Sequence, residues 1–176
     1  MTLKQTAILG GGCFWCIDSA LRRVKGVISV TSGYAGGHLE RPTYQDICTG
    51  LSGHAEVVKV EFDAKKISYS TLLQLFFDLH DPTQLNRQGN DVGTQYRSVI
   101  YYADDVQKLA ALKMLNAQQV RFVEPVVTEL SPQQVFYPAE HYHQDYYNEN
   151  PNQGYCNIVI APKLAKFNEL YRALLV

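Results

Sequence analysis

The chain has 176 residues, of which 46% are hydrophobic and 19% charged, and its formal net charge is −1. This length suffices for one domain with a full core, so we expect a single domain over residues 1–176. The balanced charge provides no electrostatic footprint for nucleic acid or an anionic membrane. Residues 1–12 lack a secretory signal and no apolar run is long enough to span a bilayer, so we expect a cytoplasmic protein, and a monomer.

Strands and helices alternate in the first part of the chain. The apolar run 6–9, which glycines end, predicts a buried strand. Apolar residues at helical spacing then predict a helix from about Phe14 to Lys25, which stops at a glycine. Residues 27–34 are rich in β-branched side chains and predict a second strand. Residues 35–53 contain repeated glycine and proline signals and are predicted to be a loop.

The stretch HAEVVKVEFD, residues 54–63, predicts a third strand because its side chains alternate. Glu56 shares a face with Val58, Val60 and Phe62, which should point inward. A carboxyl group in such surroundings is desolvated, so its pKa rises and it becomes a candidate general acid. The alternative is that Glu56 lies at a fraying strand end and reaches water.

The second half of the chain predicts two further helices and two strands. Ser68 is a plausible N-cap for a helix with an apolar stripe, and Asp104 with Asp105 caps a later helix that ends near Gln119. Between these helices, a polar loop leads into a strand over residues 96–102. Residues 126–130 are predicted to form another strand.

The C-terminal part is predicted to be mostly coil from Ser131 onward, because it is rich in Pro, Asn and Tyr. An amphipathic helix with Leu164, Phe167, Leu170 and Tyr171 on its apolar stripe follows. The order β-α-β-β-α-β is that of a split β-α-β, or ferredoxin-like, core. We therefore expect an α+β two-layer sandwich with helices on one face of a mainly antiparallel sheet.

The four cysteines, Cys13, Cys16, Cys48 and Cys156, are expected to be free or catalytic rather than a structural disulfide framework. A metal site is not expected, since zinc would need a second closely spaced ligand pair. Read alone, Cys13-Phe14-Trp15-Cys16 also fits a thioredoxin-like disulfide exchanger that uses Cys13 and Cys16 as a pair.

Cys13 follows a strand and three glycines and lies where a helix is predicted to begin. Backbone N–H groups at a helix N-terminus stabilise an anion, so we expect a lowered pKa and a nucleophilic thiolate. The alternative is a buried, inert cysteine. Phe14 and Trp15 could belong to the core or could form the wall of a small apolar pocket.

Six separated motifs occur in one order along the chain. They are GCFWC (12–16), SGYAGG (32–37), PTY (42–44), GHAEVV (53–58), QGNDVGTQYRS (88–98) and NPNQGYC (150–156). Together they resemble the A-type peptide methionine sulfoxide reductases over nearly the whole chain. The resemblance implies reduction of the S epimer of methionine sulfoxide, free or in oxidised proteins, with thioredoxin recycling the enzyme. It implies no bound cofactor, only an external thiol such as thioredoxin or dithiothreitol.

The resemblance also implies roles for individual residues. Cys13 resembles the nucleophile and Glu56 the acid that protonates the sulfoxide oxygen. Tyr44 and Tyr96 resemble the phenols that hold this oxygen. The substrate-binding residues that the resemblance implies are Phe14 and Trp15, which would enclose the methyl group, and the pocket carboxylate Asp91.

Recycling requires a second thiol, and the chain offers two candidates. Gly154 and neighbouring asparagines predict a mobile segment around Cys156, whereas Cys16 should lie within a packed helix. We therefore predict that Cys156 is the resolving cysteine and forms a disulfide with Cys13, with Cys16 as the alternative. A binding module whose aromatic pocket captures methyl groups is the non-enzymatic alternative.

Overall fold

The computed structural model describes all residues from Met1 to Val176, in eight strands and six α-helices. The strands are β1 (Lys4–Gly10), β2 (Val27–Ala35), β3 (Ala55–Asp63), β4 (Arg87–Gln88), β5 (Asp91–Val92), β6 (Val99–Tyr102), β7 (Glu129–Pro132) and β8 (Tyr137–Pro138). The helices are α1 (Phe14–Leu21), α2 (Tyr44–Cys48), α3 (Tyr69–Phe77), α4 (Asp105–Arg121), α5 (Tyr146–Glu149) and α6 (Ala161–Leu170). No helix is both long and apolar enough to cross a bilayer.

Six strands form one sheet in the order β7-β6-β1-β3-β2-β8. Every neighbouring pair is antiparallel except β6 and β7, which run parallel. The four inner strands β6-β1-β3-β2, with α1 following β1 and α3 following β3, have the split β-α-β order. The predicted α+β class with a mainly antiparallel sheet is therefore confirmed.

The alternation of β3 determines what the sheet buries. Val58, Val60 and Phe62 are fully buried in the main apolar core, which includes residues of α1 and α3. Each such side chain contributes roughly 1.5–3 kcal/mol by leaving water. Val57, on the opposite face of β3, is also fully buried, in a smaller cluster with Tyr101 and four other apolar residues. The sheet is thus covered on both faces at this end.

Helix starts agree with the predicted caps. The Ser68 hydroxyl accepts a hydrogen bond from the Thr71 N–H at 3.0 Å and caps α3. Asp104 does the same for α4 by accepting from the Gln107 N–H at 2.8 Å. Each bond satisfies a backbone donor that has no partner inside its own helix, which stabilises the helix by about 1 kcal/mol.

Two predictions for the first half of the chain are wrong, one at the end of α1 and one in the predicted loop 35–53. α1 ends at Leu21 rather than near Lys25, since the Lys25 N–H donates to the Leu174 carbonyl at the C-terminus. The predicted loop 35–53 contains α2, which a capping box between Thr43 and Asp46 stabilises.

Two predicted strands have different bounds in the structure. The predicted strand 96–102 begins only at Val99, because Thr94–Tyr96 forms a turn of 3₁₀-helix. The predicted strand 126–130 is displaced to Glu129–Pro132, where it pairs with β6.

The predicted C-terminal coil contains more structure than its composition indicates. It includes β8, α5 and a turn of π-helix, Cys156–Ile160, that leads directly into α6. The Gln144 side chain bonds both the N–H and the carbonyl of Ser32 (2.8 and 2.9 Å), so the segment is held at the edge of β2. Leu170, predicted to lie on the buried stripe of the last helix, is 60% exposed.

Candidate active site

A glycine turn joins β1 to α1 and fixes the position of Cys13. Gly12 has a φ of +84°, a backbone angle that residues other than glycine rarely adopt. At Gly11, a Cβ atom would lie 2.8 Å from the imidazole ring of His80, so the two residues can pack only because Gly11 has no side chain. Cys13 is the N-cap residue of α1 and is half-buried.

Glu56 points inward from β3, as its position in the alternation predicts. It is 2% exposed, and its carboxylate oxygen accepts a hydrogen bond from the Phe14 N–H at 3.1 Å. Burial raises its pKa to about 8, and the hydrogen bond from Phe14 offsets only part of this effect. The carboxyl group is therefore mostly protonated at neutral pH.

The predicted lowering of the Cys13 pKa is wrong. Burial raises the pKa of this thiol well above its ordinary value, and negative charge on Glu56 would raise it further. A hydrogen bond from the Trp15 backbone acts in the lowering direction but is outweighed. Desolvation therefore destabilises the Cys13 thiolate by more than the backbone N–H groups at the start of α1 stabilise it.

Cys13 and Glu56 open into a cavity of about 240 Å³. Its lining residues come from α1, α2, β3, β5 and three further segments of the chain: Cys13, Phe14, Trp15, Tyr44, Glu56, Asp91, Tyr96, Gln153 and Tyr155. Seven of these are site residues predicted from the sequence. Gln153 and Tyr155 were not predicted, although both lie in the NPNQGYC motif.

Besides Cys13, Glu56 and Gln153, three phenols and the Asp91 carboxylate provide the polar groups of the cavity. Burial raises the pKa of Tyr44, Tyr96 and Tyr155, so all three hydroxyls keep their protons and can donate. Tyr155 already donates to the Asp91 carboxylate at 2.6 Å, a short charge-assisted bond. Tyr44 and Tyr96 provide the other hydroxyl donors that line the cavity.

Trp15 forms one apolar wall of the cavity. Its indole stacks on the ring of Tyr146, with centroids 3.7 Å apart and planes 7° apart. The ring of Tyr155 packs edge-on against the same indole, with the ring centroids 5.9 Å apart. The indole Nε1–H donates to His143 Nδ1 at 3.1 Å. Phe14, which is buried, completes the apolar side.

Glu140 does not line the cavity but bonds to the backbone of Tyr44, which does. The sequence did not predict this residue. Its carboxylate accepts from the Tyr34 hydroxyl and the Tyr44 N–H, both at 3.0 Å. The Tyr142 hydroxyl donates to the same group at 3.3 Å. Partial burial acts to raise the pKa of Glu140, but hydrogen bonds from its own backbone N–H, the Tyr44 N–H and the Tyr34 hydroxyl keep this pKa below its ordinary value. The ionised carboxylate ties the C-terminal segment to the first residue of α2.

The other cysteines differ in access. Cys16 is buried in α1, and burial raises its pKa to about 11. Cys156 has no exposed surface and begins the π-helical turn, so the predicted coil around it is wrong. Both thiols belong to the main core, whereas Cys48 is exposed at the end of α2. No group of three or more His, Cys, Asp or Glu side chains is arranged to hold a metal ion.

Comparisons with known proteins identify the family of this chain. The family model described as "Peptide methionine sulfoxide reductase" matches residues 5–174. A protein of Saccharolobus solfataricus named peptide methionine sulfoxide reductase MsrA is 54% identical over 167 residues, which are 95% of this chain and 94% of that one. A protein of the same name from Acinetobacter baumannii is 54% identical over 171 residues, covering 97% and 98% of the two chains.

A solved structure gives the same result. The crystal structure of reduced Mxr1 from Saccharomyces cerevisiae superposes with a TM-score of 0.81 at 32% identity, covering 87% of this chain and 89% of that one. The family match spans almost the whole chain, and the matched residues include all those that line the cavity. The chain belongs to the peptide methionine sulfoxide reductase family, MsrA type, whose members are oxidoreductases acting on methionine sulfoxide.

Proposed function

We propose that this methionine sulfoxide reductase acts on the S epimer, free or within oxidised proteins, through a sulfenic acid on Cys13. The observation that carries the proposal is the pairing of Cys13 with a buried, protonated Glu56 in one cavity. A sulfoxide oxygen leaves only when it is protonated, so a thiol nucleophile needs an acid beside it. Few carboxyl groups hold a proton at neutral pH, and Glu56 does.

The cavity suits a methyl sulfoxide. Phe14 and Trp15 supply an apolar surface for the methyl group, while Tyr44 and Tyr96 can donate hydrogen bonds to the oxygen. Asp91, held by the Tyr155 hydroxyl, offers an acceptor for an N–H group of the substrate backbone. The apolar wall fixes the position of the methyl group, and the two phenols fix the position of the oxygen. With both positions fixed, only one of the two sulfoxide epimers can present its sulfur atom to Cys13.

The first step conserves protons. The Cys13 sulfur attacks the sulfoxide sulfur while Glu56 gives its proton to the oxygen. The attack forms a bond between the two sulfur atoms and returns the thiol proton to Glu56. The hydroxyl group then moves from the substrate sulfur to the Cys13 sulfur, and the bond between the two sulfur atoms breaks. Cys13 is oxidised to the sulfenic acid and the sulfoxide is reduced to methionine. The raised pKa values of both groups support this scheme, because each side chain begins with the proton that the reaction moves.

The second step releases water and forms a disulfide. We propose that Cys156 attacks the sulfenic acid and that thioredoxin, or dithiothreitol in vitro, then reduces the disulfide, with no bound cofactor. Because Cys156 is buried, its segment has to open first. The π-helical turn that contains it is a local interruption of regular α-helical bonding, which supports such opening. Cys16 stays the alternative, since burial raises the pKa of both thiols, that of Cys16 to about 11, and the thiolate fraction therefore does not favour Cys156 over Cys16.

A single-turnover experiment tests the proposal. The chain is incubated without reductant with a small excess of the S epimer, and methionine is counted. One methionine per chain is expected for the wild type and for Cys48→Ser, which removes the exposed thiol as a matched control. Cys13→Ser should release none. Methionine release by a folded Cys13→Ser protein would refute the proposed nucleophile.

A further inference from the structure

The orientation of Trp15 depends on a residue that does not line the cavity. His143 is 1% exposed and lies in a turn of 3₁₀-helix, His141–His143, of the C-terminal segment. The Trp15 indole N–H donates to its Nδ1 atom at 3.1 Å across 128 residues of sequence. This is the only side-chain hydrogen bond of Trp15. Stacking on Tyr146 fixes the plane of the indole but allows it to rotate within that plane, and the hydrogen bond to His143 fixes this rotation.

The hydrogen bond requires a neutral imidazole. An indole nitrogen is only a donor, so Nδ1 has to be unprotonated and the ring proton is on Nε2. Nε2 is buried and has no hydrogen-bond partner in the protein. A protonated ring would present two buried N–H groups, one facing the indole donor and the other without an acceptor.

We propose that His143 is a positioning residue for the substrate pocket, and that its protonation releases Trp15 and weakens sulfoxide binding at acidic pH. The inference rests on the proposed function, in which Trp15 encloses the substrate methyl group. His143 acts through Trp15 and has no contact with the reacting atoms.

The groups around His143 make its imidazole the one that gains a proton at acidic pH. Its ring packs against the rings of Phe14 (centroids 5.2 Å), Tyr44 (4.5 Å) and Tyr142 (4.2 Å). Burial lowers the pKa of His143 below its ordinary value of 6.5, although the Glu140 charge opposes this. The pKa values of Tyr44 and Tyr142 are raised, so both phenols stay neutral, and the lowered pKa of Glu140 keeps that carboxylate ionised. His143 is therefore the group of this cluster that changes charge below pH 6.5.

Fluorescence tests the hydrogen bond without any substrate, because Trp15 is the only tryptophan of the chain. Emission is recorded from pH 7.5 to 4.5 for the wild type, His143→Asn and His141→Asn. Asparagine at position 143 can still accept from the indole but does not titrate, and His141 is an exposed matched control. We expect one transition with a midpoint below pH 6.5 in the wild type and His141→Asn, and none in His143→Asn. A wild-type emission that stays constant, or a transition that persists in His143→Asn, overturns the proposal.

Steady-state kinetics test the consequence for binding. His143→Phe removes the acceptor and keeps a ring, so KM at pH 7.5 should rise about 3- to 10-fold with kcat nearly unchanged, as expected for loss of one hydrogen bond. His143→Asn should keep the wild-type KM at pH 7.5 and lose its increase at acidic pH. A wild-type KM in His143→Phe overturns the positioning role. Failure of the sulfoxide assay in all variants would instead contradict the proposed function, since the fluorescence result is independent of turnover.

Discussion

Replacing Glu56 with glutamine should slow the enzyme and also stabilise the fold. The native carboxyl group holds its proton up to a pKa of about 8, whereas the unfolded group releases it near 4.5. Between these values the native state binds more protons than the unfolded state, so stability falls as pH rises, by about 1.4 kcal/mol per pH unit. At pH 7 the burial of Glu56 therefore costs about 3 kcal/mol relative to acidic pH, where the group is protonated in both states.

The amide introduced by this substitution would be neutral at every pH and would still accept the hydrogen bond from the Phe14 N–H. We expect Glu56→Gln to exceed the wild type in free energy of unfolding by about 3 kcal/mol at pH 7 and by about 1 kcal/mol at pH 5. The same change should slow sulfenic acid formation by ~10²–10⁴-fold, the usual contribution of a general acid. Wild-type activity should also fall above about pH 8, as Glu56 ionises.

Urea unfolding at pH 5 and pH 7 and single-turnover methionine release give the two measurements. Glu61→Gln is the matched control on the same strand: hydrogen bonds from Lys4 and Ser29 lower the pKa of Glu61, so removing its charge should not stabilise the fold. Equal stability of Glu56→Gln and wild type at pH 7 would show that Glu56 is ionised there. A rate loss far below 10²-fold would reduce Glu56 to a positioning role.

Two further predictions concern recycling and support of the cavity. After one turnover without reductant, peptide mapping should find a Cys13–Cys156 disulfide with Cys16 reduced, and Cys156→Ser should lose thioredoxin-dependent turnover; a dominant Cys13–Cys16 disulfide would contradict this assignment. Glu140→Ala should lower the single-turnover rate about 10-fold by releasing the start of α2. Because the effect passes through Tyr44, it should be much smaller in a Tyr44→Phe background, and full additivity of the two changes would disprove the coupling.

The order of the core elements could be predicted because it depends on local periodicity. The alternation over residues 54–63 placed Glu56 on the inner face, where the structure has it. Element ends were less predictable, because distant groups determine them. The Lys25 N–H bonds to Leu174, and Ser32 bonds to Gln144, which is 112 residues away. No local pattern contains such pairs.

The electrostatics of the site were only partly predictable. The expected lowering of the Cys13 pKa considered the start of α1 and left out burial, which is the larger effect. The mobility expected for Cys156 followed from its glycine and asparagine neighbours, whereas packing encloses its thiol in the core. His143 and Glu140 support the site through contacts across about 100 residues of sequence or more, and these contacts exist only after folding.

Reduction of separated methionine sulfoxide epimers tests the central claim most directly. Each epimer is incubated with the wild type, with Cys13→Ser and with dithiothreitol as the sole reductant, and methionine is measured over many turnovers. The account predicts that the wild type converts the S epimer to methionine and leaves the R epimer intact, and that Cys13→Ser converts neither. Equal consumption of both epimers, or reduction of the R epimer alone, would contradict it.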